Sequence, residues 1–140
     1  MQNYKNHRQI VVSYHIFTWL GLLALLAGSI RNFVYSTRDN LYSSSLLVLV
    51  SVLLISIALH ARKFGLIAQD RAIRAEENLR YFMLTGKPMD SRITLKQIIA
   101  LRFASDEELP ALAQRAVDEK LSNIQIKKLI RTWRPDTHRV

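Results

Sequence analysis

Two histidines, His15 and His60, are the residues whose type and spacing could support metal or haem chemistry. Each lies near one end of an apolar block, and an antiparallel helix pair turning near Ser36 would bring them to similar depth. Paired imidazoles at one depth can act as metal ligands. Both histidines fall outside the rows of small residues described below, so we expect interfacial hydrogen bonds from them, with no metal and no cofactor.

Other catalytic patterns do not occur in the sequence. The 140 residues include only four glycines, and there is no glycine-rich phosphate loop, carboxylate–histidine cluster or nucleophile motif. The chain has no cysteine, which excludes disulfides, thiolate metal sites and cysteine nucleophiles. We therefore expect a protein that is not an enzyme and has no catalytic residues.

Two apolar blocks in the first half of the chain determine how everything else is placed. The first runs from Ile10 to Ile30 without a charged side chain, and the second from Leu41 to Leu59. At ~1.5 Å per residue, each is long enough to cross the hydrocarbon core of a bilayer as a helix. The first block is too long for the apolar core of a signal peptide. A short polar connection between them predicts an antiparallel hairpin with spans at about 10–31 and 41–61.

The distribution of basic residues predicts the orientation of this hairpin. Lys and Arg precede the first span and follow the second more often than they occur in the connection, so the positive-inside rule places both termini in the cytoplasm. The residues concerned are Lys5, Arg8, Arg62, Lys63, Arg71 and Arg74 outside the hairpin, against Arg31 and Arg38 in its connection.

Small residues recur along the second span and beyond it. They are spaced by seven residues up to Ala58 and then alternate by three and four, which is the pattern of one helix face in a left-handed supercoil. We call this row the seam: Ser44, Ser51, Ala58, Ala61, Gly65, Ala68, Ala72 and Ala75. Leu79 and Phe82 continue it to Gly86, a helix C-cap with Pro88 close behind, so one helix is predicted from Leu41 to Thr85.

The first span carries a matching stripe of small residues, namely Gly21, Ala24 and Gly28. Small residues at helix interfaces favour close packing in lipid, so we expect the two spans to pack through these rows. The part of the seam from Gly65 to Ala75 lies beyond the membrane and needs another partner. The candidates are the C-terminal helices, the amino-terminal segment and the same helix of a second subunit.

The C-terminal half reads as short helices. The patterns Ser105–Glu108 and Ser122–Gln125 resemble capping boxes, and helices are predicted at about Thr94–Phe103, Asp106–Lys120 and Asn123–Trp133. Some fifty residues support only a marginal core alone, so we expect them to dock on the protruding helix, with the seam as a natural place, or on a neighbouring subunit. The apolar faces are formed by Leu109, Leu112, Ala113, Ala116 and Val117, and by Ile126, Leu129, Ile130 and Trp133.

The chain is strongly basic, with a formal net charge of +9. Residues 62–140 hold 16 Lys/Arg and 10 Asp/Glu, and an excess of this kind suits a domain facing an anionic membrane surface. We expect Arg62 and Lys63 to contact anionic lipid. The acidic side chains also offer helical ion pairs, such as Glu76 with Arg80.

A helix-turn-helix is a weaker reading of residues 112–131. Lys127, Lys128, Arg131 and Arg134 would mark a basic second helix, but Lys120 replaces the usual turn glycine. Acidic residues 106–108 would also lie near the phosphates. Nucleic acid is therefore not an expected partner.

Two segments of the chain are similar to a known family. These are Gln97–Leu109 and Trp133–Arg139, and they follow an amino-terminal Gln-Asn-Tyr-Lys-Asn-His and two spans. Together they resemble a family of small bacterial two-span membrane proteins of unknown function. The resemblance implies the bacterial cytoplasmic (inner) membrane and brings no activity, ligand or catalytic residues.

These observations predict an all-α membrane protein. Residues 1–63 form the transmembrane hairpin, residues 64–86 extend its second helix into the cytoplasm, and residues 87–140 form a small bundle of short helices. The expected function is that of a non-enzymatic structural or interaction protein, homo-oligomeric or part of a larger membrane complex. The alternatives are an oligomeric pore lined by Ser44, Ser45, Ser51 and Ser56, and a membrane-tethered DNA-binding regulator.

Overall fold

The computed structural model describes residues 3, 4, 6 and 11–136, and this part of the chain is helical, as the sequence predicts. It contains no strand, only an isolated antiparallel bridge between Ala104 and Trp133. The elements in chain order are a π-helical segment Ser13–Thr18, α1 Trp19–Val34, a 3-10 turn Arg38–Asn40, α2 Leu41–Thr85, α3 Leu95–Leu101, α4 Leu109–Asp118 and α5 Asn123–Leu129.

The chain divides into two compact units. One comprises Ile10–Gly65, and the other combines Leu66–Val140 with the first residues of the chain. The boundary lies within α2, which belongs to both. In Ile10–Gly65, the first apolar helix continues one turn beyond the expected end at Arg31, to Val34. Two of the helices, Ser13–Val34 and Arg38–Thr85, are long and apolar enough to cross a membrane.

Helix α2 has 45 residues and the bounds expected from the sequence. At ~1.5 Å per residue it is about 68 Å long. It ends at Gly86, whose amide still bonds to the carbonyl of Phe82 at 2.8 Å and whose φ of +68° is readily adopted only by glycine. Pro88 then prevents the helix from continuing.

The second unit has its own apolar core, built by α3, α4 and α5. Gln97 of α3 is buried at its centre, where its side-chain amide donates to the carbonyls of Ala116 (3.1 Å) and Leu121 (2.9 Å). Its oxygen accepts from Thr94, completing a capping box at the start of α3. The core consists of Ile93, Ile98, Ala100, Leu101, Phe103, Ala104, Leu109, Leu112, Ala113, Ala116, Leu121, Ile126 and Ile130.

One predicted capping box forms and the other does not. Ser122 and Gln125 cap α5 as predicted. Helix α4 begins at Leu109 instead of Asp106, with Glu108 as N-cap and a proline in its first turn. The Ser105 hydroxyl bonds to Glu107 and lowers the pKa of that carboxyl. The carboxylate of Glu108 accepts from the backbone amides of residues 131 and 132, so it is used in a tertiary contact.

The last helix is shorter than predicted. It ends at Leu129, because Ile130 adopts an extended conformation. Trp133, expected in the helix, instead bridges to Ala104 and packs on Phe103 with ring centroids 5.0 Å apart. A tertiary contact with the core therefore takes precedence over the helical period of the sequence.

Candidate functional site

The small-residue stripe of the first apolar helix does not face the second apolar helix. Gly21, Ala24 and Gly28 are exposed, and a Cβ added at either glycine would meet nothing within 4 Å. Contact between the two apolar helices uses another face of α1, which includes the buried Ser29. The stripe is therefore left as surface within Ile10–Gly65.

The two apolar helices meet at a pair of serines. The hydroxyl oxygens of Ser29 and Ser51 lie 3.1 Å apart and are buried. Each is also within hydrogen-bond distance of a carbonyl of its own helix, Leu26 at 2.9 Å and Val48 at 2.7 Å. Two hydroxyl hydrogens are therefore shared among three contacts, and serine is tolerated in an apolar helix because its own backbone can satisfy it.

Tyr14 provides a second contact, which the sequence reasoning missed. Its hydroxyl donates to the carbonyl of Ala58 at 2.8 Å, and the guanidinium of Arg62 lies 5.5 Å from its ring centroid. Arg62 is thus partly engaged with an aromatic ring, while Lys63 is exposed. An aromatic residue with a polar tip near the end of an apolar block is the signal that could have identified Tyr14.

Within Leu66–Val140, the segment that follows α3 and the segment that follows α5 cover one face of α2. Ile73 and Glu77 are buried there, and Tyr81 packs against the core. These residues recur at intervals of four, so they lie on one face of the helix. None of them belongs to the seam, and the expectation that the C-terminal helices dock on the seam is therefore wrong.

An ionic network holds this covered face. Arg80 donates to Glu77 (2.9 Å), to Asp106 (2.7 Å) and to the carbonyl of Ala104 (2.7 Å). Arg134 approaches Glu77 from the C-terminal segment at 3.7 Å. The predicted helical pair of Glu76 with Arg80 is replaced by these partners, because they fix the guanidinium on the docked side of the helix.

The seam changes from covered to exposed along α2. Ser44 and Ser51 are buried, and Ala58 is half-buried. All later members are exposed, as are the two large residues that continue the row, Leu79 at 61% and Phe82 at 52%. The exposed members are Ala61, Gly65, Ala68, Ala72 and Ala75.

Heptad positions describe the two faces. With Ala72 at position a, the seam occupies a and d, and the covered residues Ile73 and Glu77 occupy b and f on the far side of the helix. Arg71 and Glu76 then flank the seam at positions g and e. Both are exposed, and within the described part of the chain neither forms an ion pair.

Each histidine bonds to its own helix. Nδ1 of His15 lies 2.9 Å from the carbonyl of Val11, and Nδ1 of His60 lies 2.8 Å from that of Ser56. Over residues 3, 4, 6 and 11–136 no group of three His, Asp or Glu side chains is placed to hold a metal ion. The histidine geometry is that of local hydrogen bonding.

The suspected helix-turn-helix has a short second helix. Helix α5 spans seven residues, or roughly 10 Å. Lys127 lies 5.4 Å from the ring centroid of Phe103. Lys120 adopts φ +49° in the turn, the conformation that glycine usually supplies there. The turn before α5 resembles the turn of a helix-turn-helix, but the short basic helix α5 does not match the second helix of that motif.

Comparison with protein-family descriptions matches residues 1–140 to one described as a family of unknown function (DUF6526). No curated protein and no solved structure matches the chain. The resemblance to a family of unknown function is therefore confirmed over the whole chain.

Proposed function

The chain belongs to the DUF6526 family, and from that premise we propose that it is a non-enzymatic membrane protein that associates with a second copy of itself. The proposal has two parts, the membrane anchor and the contact between copies. The observation that carries it is the exposed seam of α2 on the face opposite the docked C-terminal helices.

The surfaces of the two apolar helices support a membrane anchor. Only 6% and 11% of their most apolar windows are buried inside the protein. A core helix of a soluble protein would be mostly covered, whereas a helix in lipid can expose its apolar side chains. Hydrogen bonds Ser29–Ser51 and Tyr14–Ala58 join the helices in reverse chain order, which supports an antiparallel hairpin.

The proposed location is the bacterial inner membrane with both termini in the cytoplasm. The excess of Lys and Arg outside the hairpin supports this orientation. Lys63 is exposed and free to approach anionic headgroups, whereas the guanidinium of Arg62 lies over the ring of Tyr14. Two copies in one membrane present α2 in the same direction, so their contact is parallel.

A parallel pair of seams would form a close coiled coil. Gly65 and Ala72 at a, with Ala68 and Ala75 at d, allow the backbones to approach closely. Phe82 at the next d position would bury apolar surface that is now in contact with solvent. The rest of the C-terminal unit contacts α2 at positions b and f, so it leaves the proposed contact between the seams unobstructed.

The flanking charges match this arrangement. In a parallel dimer, position g of one helix pairs with position e of the next heptad in its partner. Arg71 at g would meet Glu76 at e of the second copy, and symmetry would repeat the pair. Opposite charges at these positions favour the parallel homodimer over other pairings.

Disulfide formation between copies tests the contact directly, because the natural chain has no cysteine. Ala68→Cys and Ala75→Cys at position d should give crosslinked dimers in membranes under mild oxidation. Arg74→Cys on the same helix but outside the seam is the matched control. Equal crosslinking at all three positions, or none at 68 and 75, would contradict the proposal.

The mass of the particle in mild detergent separates self-association from a heteromeric complex. A mass of two chains is the expected result. A monomeric mass together with an uncrosslinked seam would exclude self-association. A larger particle that contains other chains would instead indicate that the protein is a subunit of a heteromeric complex.

A further inference from the structure

A basic cleft of about 500 Å³ lies beside the α4–α5 connection, away from the seam. Both of its walls belong to the C-terminal helices, so it lies within one compact unit. Its lining combines three cations, three uncharged polar side chains at the rim, the buried amide of Gln97 and an apolar floor. The residues the argument uses are Arg92, Lys96, Lys120, Ala116, Val117 and Leu121.

The charges of the cleft are unbalanced. No carboxylate contributes to its lining. Arg92 is held by Asp90 through a 2.6 Å ion pair, so part of its charge is neutralised. Lys96 and Lys120 form no ion pair with any other described residue and are exposed. The hydrogen bond with Asp90 raises the pKa of Arg92, and the charge of Asp118, which does not line the cleft, adds to this rise. The excess of positive charge that an anion could neutralise therefore comes from Lys96 and Lys120.

Lys120 stands where the backbone favours glycine. Its φ of +49° is the only positive φ among the described non-glycine residues, and a side chain is strained in that region. Glycine at this turn would connect the two helices with less backbone strain. The strain at this turn is the observation that motivates a role for the ammonium group of Lys120.

The floor of the cleft adds a second criterion for the ligand that the cleft can bind. Ala116 is fully buried, Val117 half-buried and Leu121 8% exposed, so the base of the cleft is apolar. The rim hydroxyls of Thr94 and Ser122 are occupied by capping bonds to Gln97 and Gln125. Recognition would therefore come from charge at the rim and apolar contact below it.

We propose that this cleft binds the phosphate group of an organic phosphate, with Lys96 and Lys120 as its cationic contacts. Charge-assisted hydrogen bonds from two ammonium groups suit a phosphate oxygen, and the floor suits the attached apolar part. The phosphate can come from an anionic lipid headgroup or from a soluble phosphate compound. The site does not depend on self-association through the seam.

Calorimetric titration of the full chain in a neutral detergent tests the site and distinguishes the two sources. Pyrophosphate is the soluble probe, dihexanoyl phosphatidylglycerol is the lipid probe, and dihexanoyl phosphatidylcholine controls for apolar binding. Lys120→Gly removes the ammonium group and relieves the backbone, so the fold should be at least as heat-stable. Its affinity should fall about tenfold or more.

Two further variants sharpen the test. Lys96→Ala should weaken binding similarly, and Lys87→Ala, an exposed lysine outside the cleft, should leave the affinity unchanged. Preference for phosphatidylglycerol over phosphatidylcholine assigns a lipid source, and binding of pyrophosphate assigns a soluble one. The proposal is overturned if neither anionic probe binds, or if Lys120→Gly binds as tightly as the natural chain.

Discussion

The two faces of α2 between Leu66 and Thr85 differ in what they offer to a neighbour. The covered face carries Ile73, Glu77 and Arg80, which are large or charged and are covered by the segments that follow α3 and α5. The opposite face carries Ala72 and Ala75, which are small, uncharged and exposed. One helix thus combines a face with a partner inside the chain and a face whose proposed partner is another chain.

The difference shows how one helix can separate two kinds of contact. Long polar side chains such as Arg80 select one docked arrangement, because their hydrogen bonds require particular partners. Small residues impose little geometric selection and instead permit close approach. In the proposed dimer, the flanking charges of Arg71 and Glu76 would then determine which helix approaches.

The largest expected effect comes from breaking the covered face. Arg80→Ala removes three hydrogen-bond donors and leaves the nearly buried Glu77 carboxylate with only Arg134 at 3.7 Å. We expect the C-terminal unit to lose about 3 kcal/mol of unfolding free energy. Denaturation followed by Trp133 fluorescence, in a Trp19→Phe background, measures it.

The control for this change is Arg74→Ala, because Arg74 is exposed on the same helix. It should change the unfolding free energy by no more than about 0.5 kcal/mol. Similar losses from the two variants would show that the Arg80 network contributes little to docking.

A charge exchange tests the uncovered face. Arg71→Glu places two carboxylates at each g–e pair of the proposed dimer, and Glu76→Arg places two guanidinium groups there. Either change should weaken the dimer by about 1 kcal/mol, or roughly fivefold. The double variant should restore it. Dimer dissociation measured by dilution in detergent follows the effect, and a double variant as weak as the singles would exclude this pairing.

The apolar half of α2 extends the comparison, because its part of the seam is already covered. Ser51→Ala removes the hydroxyl that meets Ser29 and should lower the stability of the helix pair by about 0.6 kcal/mol. Ser45→Ala is the control, since that hydroxyl bonds only to the carbonyl of Tyr42. Denaturant unfolding followed by Trp19 fluorescence compares them, and equal losses would refute an inter-helix role for Ser51.

The smallest effect concerns pH. The Arg92 side chain, which hydrogen-bonds to Asp90, lowers the pKa of that carboxyl from 3.8 to about 2. Because the folded-state pKa is the lower one, the stabilisation is present above pH 4 and is lost as the pH falls towards 2. The stability gap between the natural chain and Asp90→Asn should narrow over that window in thermal melts. In an Arg92→Ala background most of this narrowing should vanish.

Much of the fold could be predicted from local patterns. The bounds of α2 follow from the small-residue spacing and from Gly86, whose positive φ ends the helix. The Ser122–Gln125 cap is likewise local. The Thr94–Gln97 cap has the same pattern and was missed, although the sequence carries the signal.

The site was predicted less completely, because a row of residues in the sequence does not show which surface of the protein it contacts. The stripe at Gly21, Ala24 and Gly28 has the right spacing for packing, yet the contact in α1 uses Ser29. Helix periodicity gives the residues of a face but not the rotation of that face towards its neighbour. Tyr14 and Arg80 also depend on partners 44 and 24 or more residues away.

The sequence by itself determined the two apolar helices, the length of α2 and the repeat of its seam, because apolar length, period and caps are local properties of the chain. Only the tertiary structure decided that the C-terminal unit packs on the face of Ile73 and Glu77 and leaves the seam exposed. That choice depends on the simultaneous fit of Arg80 to Glu77 of its own helix and to Asp106 and Ala104, which reach it only when the unit is folded.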